Sequence, residues 1–212
     1  MVNVFSIIFF FTLFFLIKKS KFFIKSLSDN DFNKPQSFHK SSVMRCGGIL
    51  MIVTFILFWL FNYNLNYHYL FYFGILNFFV GTLADFKKQE NPFIRFFFIF
   101  LFNNIFIIYF NIQIDSFNFK LLDYLNNFFI FKIILSFFAI FFIVNGSNLI
   151  DGFNGNLSLH ILTILILILM ILQKVGASYF LINYCIFLIL INFLFLILNF
   201  PNAKIFLGDG GS

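Results

Sequence analysis

The 212-residue chain is 61% hydrophobic and only 10% charged, and it contains 42 Phe. Its mean hydropathy is +0.97. A soluble domain carries about 25% charged residues, so this composition excludes a soluble globular protein and indicates an integral membrane protein. The formal net charge of +6 does not require nucleic acid as a partner, because the placement of the charges explains it. Cys46 and Cys185 lie far apart, so neither a disulfide nor a metal motif is predicted.

Long apolar runs recur along the whole chain, and each approaches the roughly 20 residues that a helix needs to cross a bilayer. They occupy residues 4–17, 48–62, 68–83, 93–112, 128–144, 157–172 and 177–199. The sequence therefore predicts an all-α fold, a polytopic transmembrane helical bundle of about seven spans with the next one beginning at the C-terminus. Since no repeat or linker divides the chain, residues 1–212 are predicted to form a single domain.

Basic residues concentrate in every second loop between these runs. The longest such loop holds Lys18, Lys19, Lys21, Lys25, Lys34, Lys40 and Arg45. The positive-inside rule assigns these loops to the cytoplasm and places the N-terminus outside. Four polar segments then share the cytoplasmic face of the bundle, at residues 31–48, 81–95, 145–158 and 202–212. Segments that share one face can build one site.

The first polar segment runs from Asp31 through His39 to Arg45-Cys-Gly-Gly48. Cationic side chains and backbone N–H groups at a helix start both favour phosphate, so the segment suggests anion binding. A juxtamembrane basic loop that only sets the topology and touches anionic lipids is the alternative.

The second segment, Gly81-Thr-Leu-Ala-Asp85-Phe-Lys-Lys88, follows an apolar run. Asp85 could be a solvated residue that pairs with a neighbouring lysine. An acid at the C-terminal end of a helix opposes the helix dipole, which favours a functional reason for it.

The third segment is Asn145-Gly-Ser-Asn-Leu-Ile-Asp-Gly-Phe-Asn-Gly155, between two apolar runs. It could be a plain turn between two membrane helices. Its density of amide and carboxylate groups instead suggests a polar ligand, because buried polar groups in a membrane need partners. Such side chains can hold a nucleotide or help to hold Mg²⁺.

The fourth segment ends in Gly208-Asp-Gly-Gly-Ser212, a flexible loop with one carboxylate. Alone it is a weak signal, since Gly-Asp-Gly is common in turns.

Taken together and in this order, the four segments resemble the polyprenyl-phosphate N-acetylhexosamine-1-phosphate transferase family, glycosyltransferase family 4. That family includes the enzyme that makes the first lipid intermediate of peptidoglycan, and the enzymes that begin O-antigen and teichoic acid synthesis. The matching features are the Asp31 to His39 spacing, Arg45-Cys-Gly-Gly48, the Asn145 to Gly155 motif and Phe206-Leu-Gly-Asp-Gly-Gly-Ser212. The likeness spans essentially the whole chain.

Two positions depart from the family pattern. Ala84 precedes Asp85 where the family usually has two adjacent acids, and Asn154 stands where many members have Asp. Members of the family have about ten or eleven membrane helices, so this chain is expected to be a C-terminally truncated member.

The resemblance implies transfer of N-acetylhexosamine-1-phosphate from a UDP-sugar to a polyprenyl phosphate, with release of UMP, as the first step of a cell-wall or surface polysaccharide. It implies Mg²⁺ as cofactor and UDP-N-acetylhexosamine and polyprenyl phosphate as partners. It also implies the bacterial inner membrane, with the active site facing the cytoplasm and the N-terminus outside. A homodimer stays open.

The same resemblance assigns roles to individual residues. Asp209 would be the main Mg²⁺ ligand, with Asn148 or Asp151 nearby. The nucleotide would be held by Asn145, Asn148, Asp151 and Asn154. The catalytic acids would be Asp85, Asp151 and Asp209, of which Asp85 would orient or deprotonate the lipid phosphate. His39 and Arg45 would contact phosphate.

Two alternatives remain beside this reading. One is an inactive fragment that keeps lipid or nucleotide binding, which Ala84 and the early C-terminus suggest. The other is a membrane transporter, because broken helices with polar ends are typical of transporters. Transporters place their polar groups near the midplane, whereas the segments here are predicted to lie at one face.

Overall fold

Each predicted apolar run forms one long helix in the computed structural model. The structure describes residues 2–29, 42–87, 92–112, 114 and 116–211, and it describes 2–4, 29, 84–87 and 92–96 by their backbone alone. The long helices are α1 Val2–Lys19, α3 Gly47–Phe61, α4 His68–Lys87, α5 Pro92–Phe110, α7 Phe129–Ile150, α8 Asn156–Lys174 and α9 Tyr179–Asn199. The short ones are α2 Lys21–Leu27, α6 Lys120–Asn126 and a 3-10 helix Leu65–Tyr67. The prediction of a mostly helical fold is therefore confirmed.

Among the described residues, three helices are long and apolar enough to cross a membrane, namely α7, α8 and α9. Two further apolar stretches are shorter, Gly47–Phe61 in α3 and Phe97–Phe110 in α5. These helices indicate a membrane protein. The number of seven spans stays a prediction.

Two hydrophobic clusters hold the helices together, and α4 joins them. The first packs α1, α3 and α9, and at its centre the rings of Phe58 and Phe187 stack with centroids 4.3 Å apart. The second packs α4, α5 and α7 through Val80, Ile99, Ile107, Phe137 and Phe141. Since Phe71, Ile75 and Phe78 of α4 pack on the first cluster, α4 fixes one helix group against the other.

A small three-stranded sheet lies beside the helices, formed by β1 Ser28–Asp29, β2 Val43–Arg45 and β3 Ile205–Phe206. Strand β2 pairs antiparallel with β1 and parallel with β3, with Arg45 opposite Phe206. The all-α prediction omitted this sheet, because two- and three-residue strands leave no alternating pattern in the sequence. Residues 200–211 form a turn, the strand β3 and a glycine loop, so the predicted next span does not begin among them.

Two helices run further than their apolar runs. Helix α4 continues to Lys87, and α7 continues to Ile150. Asp85, Asn145 and Asn148 therefore lie within helices, and the connection from α7 to α8 is confined to residues 151–155. Within α7 the Nδ2 of Asn145 donates to the carbonyl of Phe141 at 2.9 Å, so one donor of this side chain is bonded to the preceding turn.

Candidate active site

The glycine loop Gly208–Gly211 packs against the start of α3. The N–H of Gly48 donates to the carbonyl of Leu207 at 2.8 Å. A Cβ at Gly48 would lie 2.6 Å from the nitrogen of Gly211, and one at Gly47 would lie 2.9 Å from the Cα of Leu207. Real Cβ atoms do not approach other atoms so closely, so these two glycines are required by the packing.

The opposite side of the same loop packs against the end of α4. A Cβ at Gly81 would overlap the carbonyl oxygen of Asp209 and lie 2.6 Å from the Cα of Gly210. A Cβ at Gly210 would in turn lie 2.5 Å from the Cγ2 of Thr82. The loop is thus wedged between α3 and α4, and three of the four predicted segments meet at this point.

The backbone of Asp209 is held by this wedge, and its side chain is half-buried. Gly81, which its carbonyl faces, lies four residues before Asp85 on α4. Four residues of an α-helix rise about 6 Å, so the two acidic positions are close along the backbone. The side chain of Asp85 lies outside the described residues, and so does the whole of His39.

Strand β2 attaches the basic segment to the glycine loop. Its residue Arg45 is half-buried and pairs in register with Phe206 of β3, three residues before Asp209. The next residue, Cys46, is fully buried, and burial raises the pKa of its thiol from 9.0 to about 12. Cys46 therefore stays protonated and packs as a small apolar residue.

The third segment is tied to the fourth by a side chain that the sequence did not single out, Asn199. Its Oδ1 accepts from the N–H of Gly155 at 2.5 Å, and its Nδ2 donates to the carbonyl of Ile205 at 2.9 Å. Asn199 is 3% exposed, so both bonds are made away from water. The signal that could have found it is an Asn at the end of an apolar run, directly before Phe-Pro.

The predicted nucleotide-binding residues follow one another around the end of α7. Asn145 and Asn148 lie on its last two turns, and the N–H of Asp151 donates to the carbonyl of Ser147 and ends the helix. Asn154 lies in the turn, where its Nδ2 donates to the carbonyl of Pro201 at 3.1 Å. Through Asn154 and Gly155, the described contacts thus join the third segment to the C-terminal end of α9 and to Pro201, which precede β3 in the chain.

Whether the site fits Mg²⁺ depends on the ligand atoms that the described residues supply. Among the described residues no three His, Cys, Asp or Glu side chains come together. A hard cation would therefore depend on Asp209 with oxygen donors of other kinds, such as Asn amides and phosphate. The half-buried Asp209, on a backbone fixed next to the α4 segment that carries Asp85, fits such a ligand.

The sequence model of glycosyl transferase family 4 matches residues 67–212. That range is more than two thirds of the chain. The chain belongs to glycosyl transferase family 4. The family implies a transferase that passes a phospho-sugar to a lipid carrier at a membrane. No curated protein matches the chain significantly.

The family match covers the second, third and fourth segments and begins after the first. The structure supplies the missing connection, because β2 pairs with β3 and Gly48 packs on Gly211. The segment with Arg45 is therefore attached to the matched part of this family 4 chain by backbone contacts.

Proposed function

We propose that the chain transfers N-acetylhexosamine-1-phosphate from a UDP-sugar to a polyprenyl phosphate, with release of UMP, at the cytoplasmic face of the membrane. The observation that carries the proposal is the wedge of Gly208–Gly211 between α3 and α4, in a chain of glycosyl transferase family 4. In the wedge, Asp209 lies next to the C-terminal part of α4. Two residues before it, the carbonyl of Leu207 accepts a hydrogen bond from Gly48 of the basic segment.

A site at the end of a helical bundle suits a reaction between a lipid and a soluble nucleotide sugar. The polyprenyl tail can stay in the apolar region while its phosphate reaches the surface, because charged groups are costly inside a bilayer. The nucleotide sugar can approach the same surface from water. The helices α7, α8 and α9 expose large apolar side chains that suit a lipid environment, among them Phe142, Ile164, Leu167, Met170 and Phe193.

In the proposed reaction, an oxygen of the carrier phosphate attacks the β-phosphorus of the UDP-sugar. A new P–O bond forms, the bond from that phosphorus to the bridging oxygen breaks, and UMP leaves with the electron pair. Catalysis of phosphoryl transfer rests mainly on positioning and charge stabilisation. Arg45 and His39 would bind phosphate oxygens, and Asp85 would orient the carrier phosphate or accept its proton.

The nucleotide would bind at the end of α7. Amide and carboxylate groups of Asn145, Asn148, Asp151 and Asn154 suit the hydrogen-bonding edges of uracil and the ribose hydroxyls. The bond of Asn154 to Pro201 and that of Gly155 to Asn199 would hold this surface against the glycine loop. The nucleotide and phosphate parts of the substrate would then be bound by connected segments.

Mg²⁺ would be held by Asp209, with Asn148 and Asp151 as further candidate donors. When bound, it would neutralise the diphosphate and stabilise the leaving UMP. The catalytic acids would be Asp85, Asp151 and Asp209. The contribution of the protein is to hold Asp209, because the backbone of Asp209 and Gly210 packs closely on Gly81 and Thr82 of α4.

UMP exchange tests the proposal. Membranes that carry the chain are given polyprenyl phosphate, Mg²⁺, labelled UMP and one of several UDP-N-acetylhexosamines, and label in the UDP-sugar is measured. We expect exchange with one donor, and a loss of roughly 100-fold or more in Asp209→Asn. The matched control is Asp123→Asn, since Asp123 lies in α6 and an Asn there can still accept from the N–H of Phe117.

Full activity of Asp209→Asn would contradict the proposed role of that residue. A wild-type chain without exchange from any donor would contradict the activity itself. An inactive wild type would favour the alternative of a protein that binds lipid or nucleotide without turnover. The substitution Ala84→Asp then tests whether the missing acid is the cause. Exchange that appears only in Ala84→Asp would show that the missing acid, and not the architecture, prevents the reaction.

A further inference from the structure

Helix α2 carries a basic surface that the proposed reaction does not use. The chain leaves α1 through Ser20, whose backbone is extended with φ −78° and ψ 114°, and α2 starts at the next residue. Leu27 is 2% exposed and belongs to the main hydrophobic cluster, and Phe23 packs against that cluster. Because these two residues lie four apart, they form one face of the helix, which holds α2 on the protein.

The opposite face of α2 is exposed and combines charge with apolar area. It consists of Lys21, Phe22, Ile24 and Lys25, and Lys19 at the end of α1 continues it; we call these five residues the basic face. The Phe22 side chain is 67% exposed. In the part of the chain that the structure describes, no carboxylate pairs with any of its three lysines. Lysine and exposed apolar residues together are typical of a helix that lies on a membrane surface.

Helix α2 adjoins the candidate active site, and the basic face is its outer side. Helix α2 contacts β2, the strand that carries Arg45, and also α4, the helix that carries Asp85. The pairing of β1 with β2 directly after α2 fixes this arrangement. A lipid headgroup held on the basic face would therefore lie one helix diameter, ~10–12 Å, from the elements that α2 contacts.

We propose that the basic face binds the headgroup of a membrane lipid that ends in a phosphate monoester, the class to which the proposed carrier belongs. This inference rests on the proposed function. A phosphate monoester carries about −1.5 to −2 charges at pH 7, whereas the phosphodiester of an ordinary anionic phospholipid carries about −1. Three lysines without a described carboxylate partner therefore attract the monoester more strongly, and Phe22 and Ile24 can enter the acyl boundary beside it.

The test measures lipid binding in the absence of catalysis. Purified full-length chain in neutral detergent micelles is titrated with polyprenyl phosphate, and the thermal shift at each concentration gives the apparent Kd. We expect Lys21→Gln with Lys25→Gln to raise this Kd about tenfold at low salt, and Lys21→Arg with Lys25→Arg to leave it near the wild-type value. The matched control is Lys120→Gln with Lys174→Gln, which removes the same charge from exposed lysines of α6 and α8.

A second measurement needs no variant. Because exposed charges are screened by salt, wild-type affinity for polyprenyl phosphate should fall towards that of the glutamine pair as salt rises to about 1 M. Titration with phosphatidylglycerol should show weaker binding and a smaller effect of the glutamine pair. Equal effects on both lipids would overturn the proposal in favour of a general anionic membrane contact. An unchanged Kd for polyprenyl phosphate would overturn it outright.

UMP exchange measured on the same preparations separates this inference from the proposed function. Exchange in the wild type with an unchanged Kd in the glutamine pair leaves the transferase in place and removes the role of the basic face. Tenfold weaker lipid binding in the glutamine pair, without exchange in the wild type, would leave the role of the basic face in place and remove the transferase activity.

Discussion

The two glycine-rich parts of the candidate site differ in how closely the protein surrounds them. At the wedge, added Cβ atoms at Gly48, Gly81 and Gly210 would collide with backbone or side chains. At the end of α7, a Cβ at Gly146 would meet no described atom within 4 Å, and one at Gly152 would meet only the carbonyl of Leu149 at 3.8 Å. The same residue type therefore serves two purposes.

In the wedge, glycine permits close packing and so fixes the backbone that presents Asp209. At the α7 end, the surroundings leave room, which suits a surface that a nucleotide must reach. Gly155 alone there needs its glycine, because its φ of +75° is unfavourable for other residues and a Cβ would lie 3.0 Å from that of Phe200. A closed part that holds the acid thus adjoins an open part that can accept substrate.

The substitution Gly81→Ala is expected to have the largest effect. Its methyl group would overlap Asp209, so α4 or the loop must shift at a cost of roughly 3 kcal/mol or more. Gly146→Ala is the matched control in the open part. It lies within α7, where Ala stabilises a helix by about 0.5–1 kcal/mol relative to Gly. Thermal unfolding in detergent compares the two variants, and equal midpoints would remove the distinction between the two parts.

The connection between the two parts is tested by Asn199→Leu. The change leaves the N–H of Gly155 and the carbonyl of Ile205 without their buried partner, which we expect to cost about 2 kcal/mol. Asn192→Leu is the control, because Asn192 is equally buried on α9 but donates a single bond, to the carbonyl of Ser158. Its cost should be near 1 kcal/mol. A smaller loss for Asn199 than for Asn192 would show that the bridge does not hold the segments together.

Cysteine labelling changes the protein least. In a Cys185→Ala background, Cys46 should resist alkylation at pH 8 until the chain unfolds, because it is fully buried and its pKa is raised to about 12. A cysteine at Gly152, which is exposed, should react at once in a chain that lacks both native cysteines.

The raised pKa of Cys46 also makes the stability of the fold depend on pH, and the sign of this dependence is definite. Below pH 9.0 the thiol is protonated in both states, and above it the unfolded thiol ionises first. The contribution of Cys46 to stability is therefore lost as the pH rises from 9.0 to about 12. Rapid labelling of folded Cys46 at pH 8 would mean that the start of α3 is open to solvent.

The sequence predicted the helices well and their ends less well. A run of Phe, Leu and Ile long enough for a membrane has few alternatives to a helix, since the backbone must satisfy its own hydrogen bonds there. The end of α7 was harder to predict, because an Asn such as Asn145 can either end a helix or bond to the preceding turn. Here Asn145 donates to the carbonyl of Phe141 and the helix continues. The strands β2 and β3 were invisible because each is stabilised by a partner about 160 positions away.

Composition and hydropathy alone indicate a mostly helical membrane protein, and the sequence motifs indicate the family and most candidate residues. These are local properties, carried by hydropathy and by short runs of residue types. Three other features emerge from the packed fold alone: the Asp209 loop lies on Gly48 and Gly81, Asn199 joins Gly155 to Ile205, and α2 adjoins β2. Such contacts depend on how distant helices pack, and no spacing within one segment encodes them.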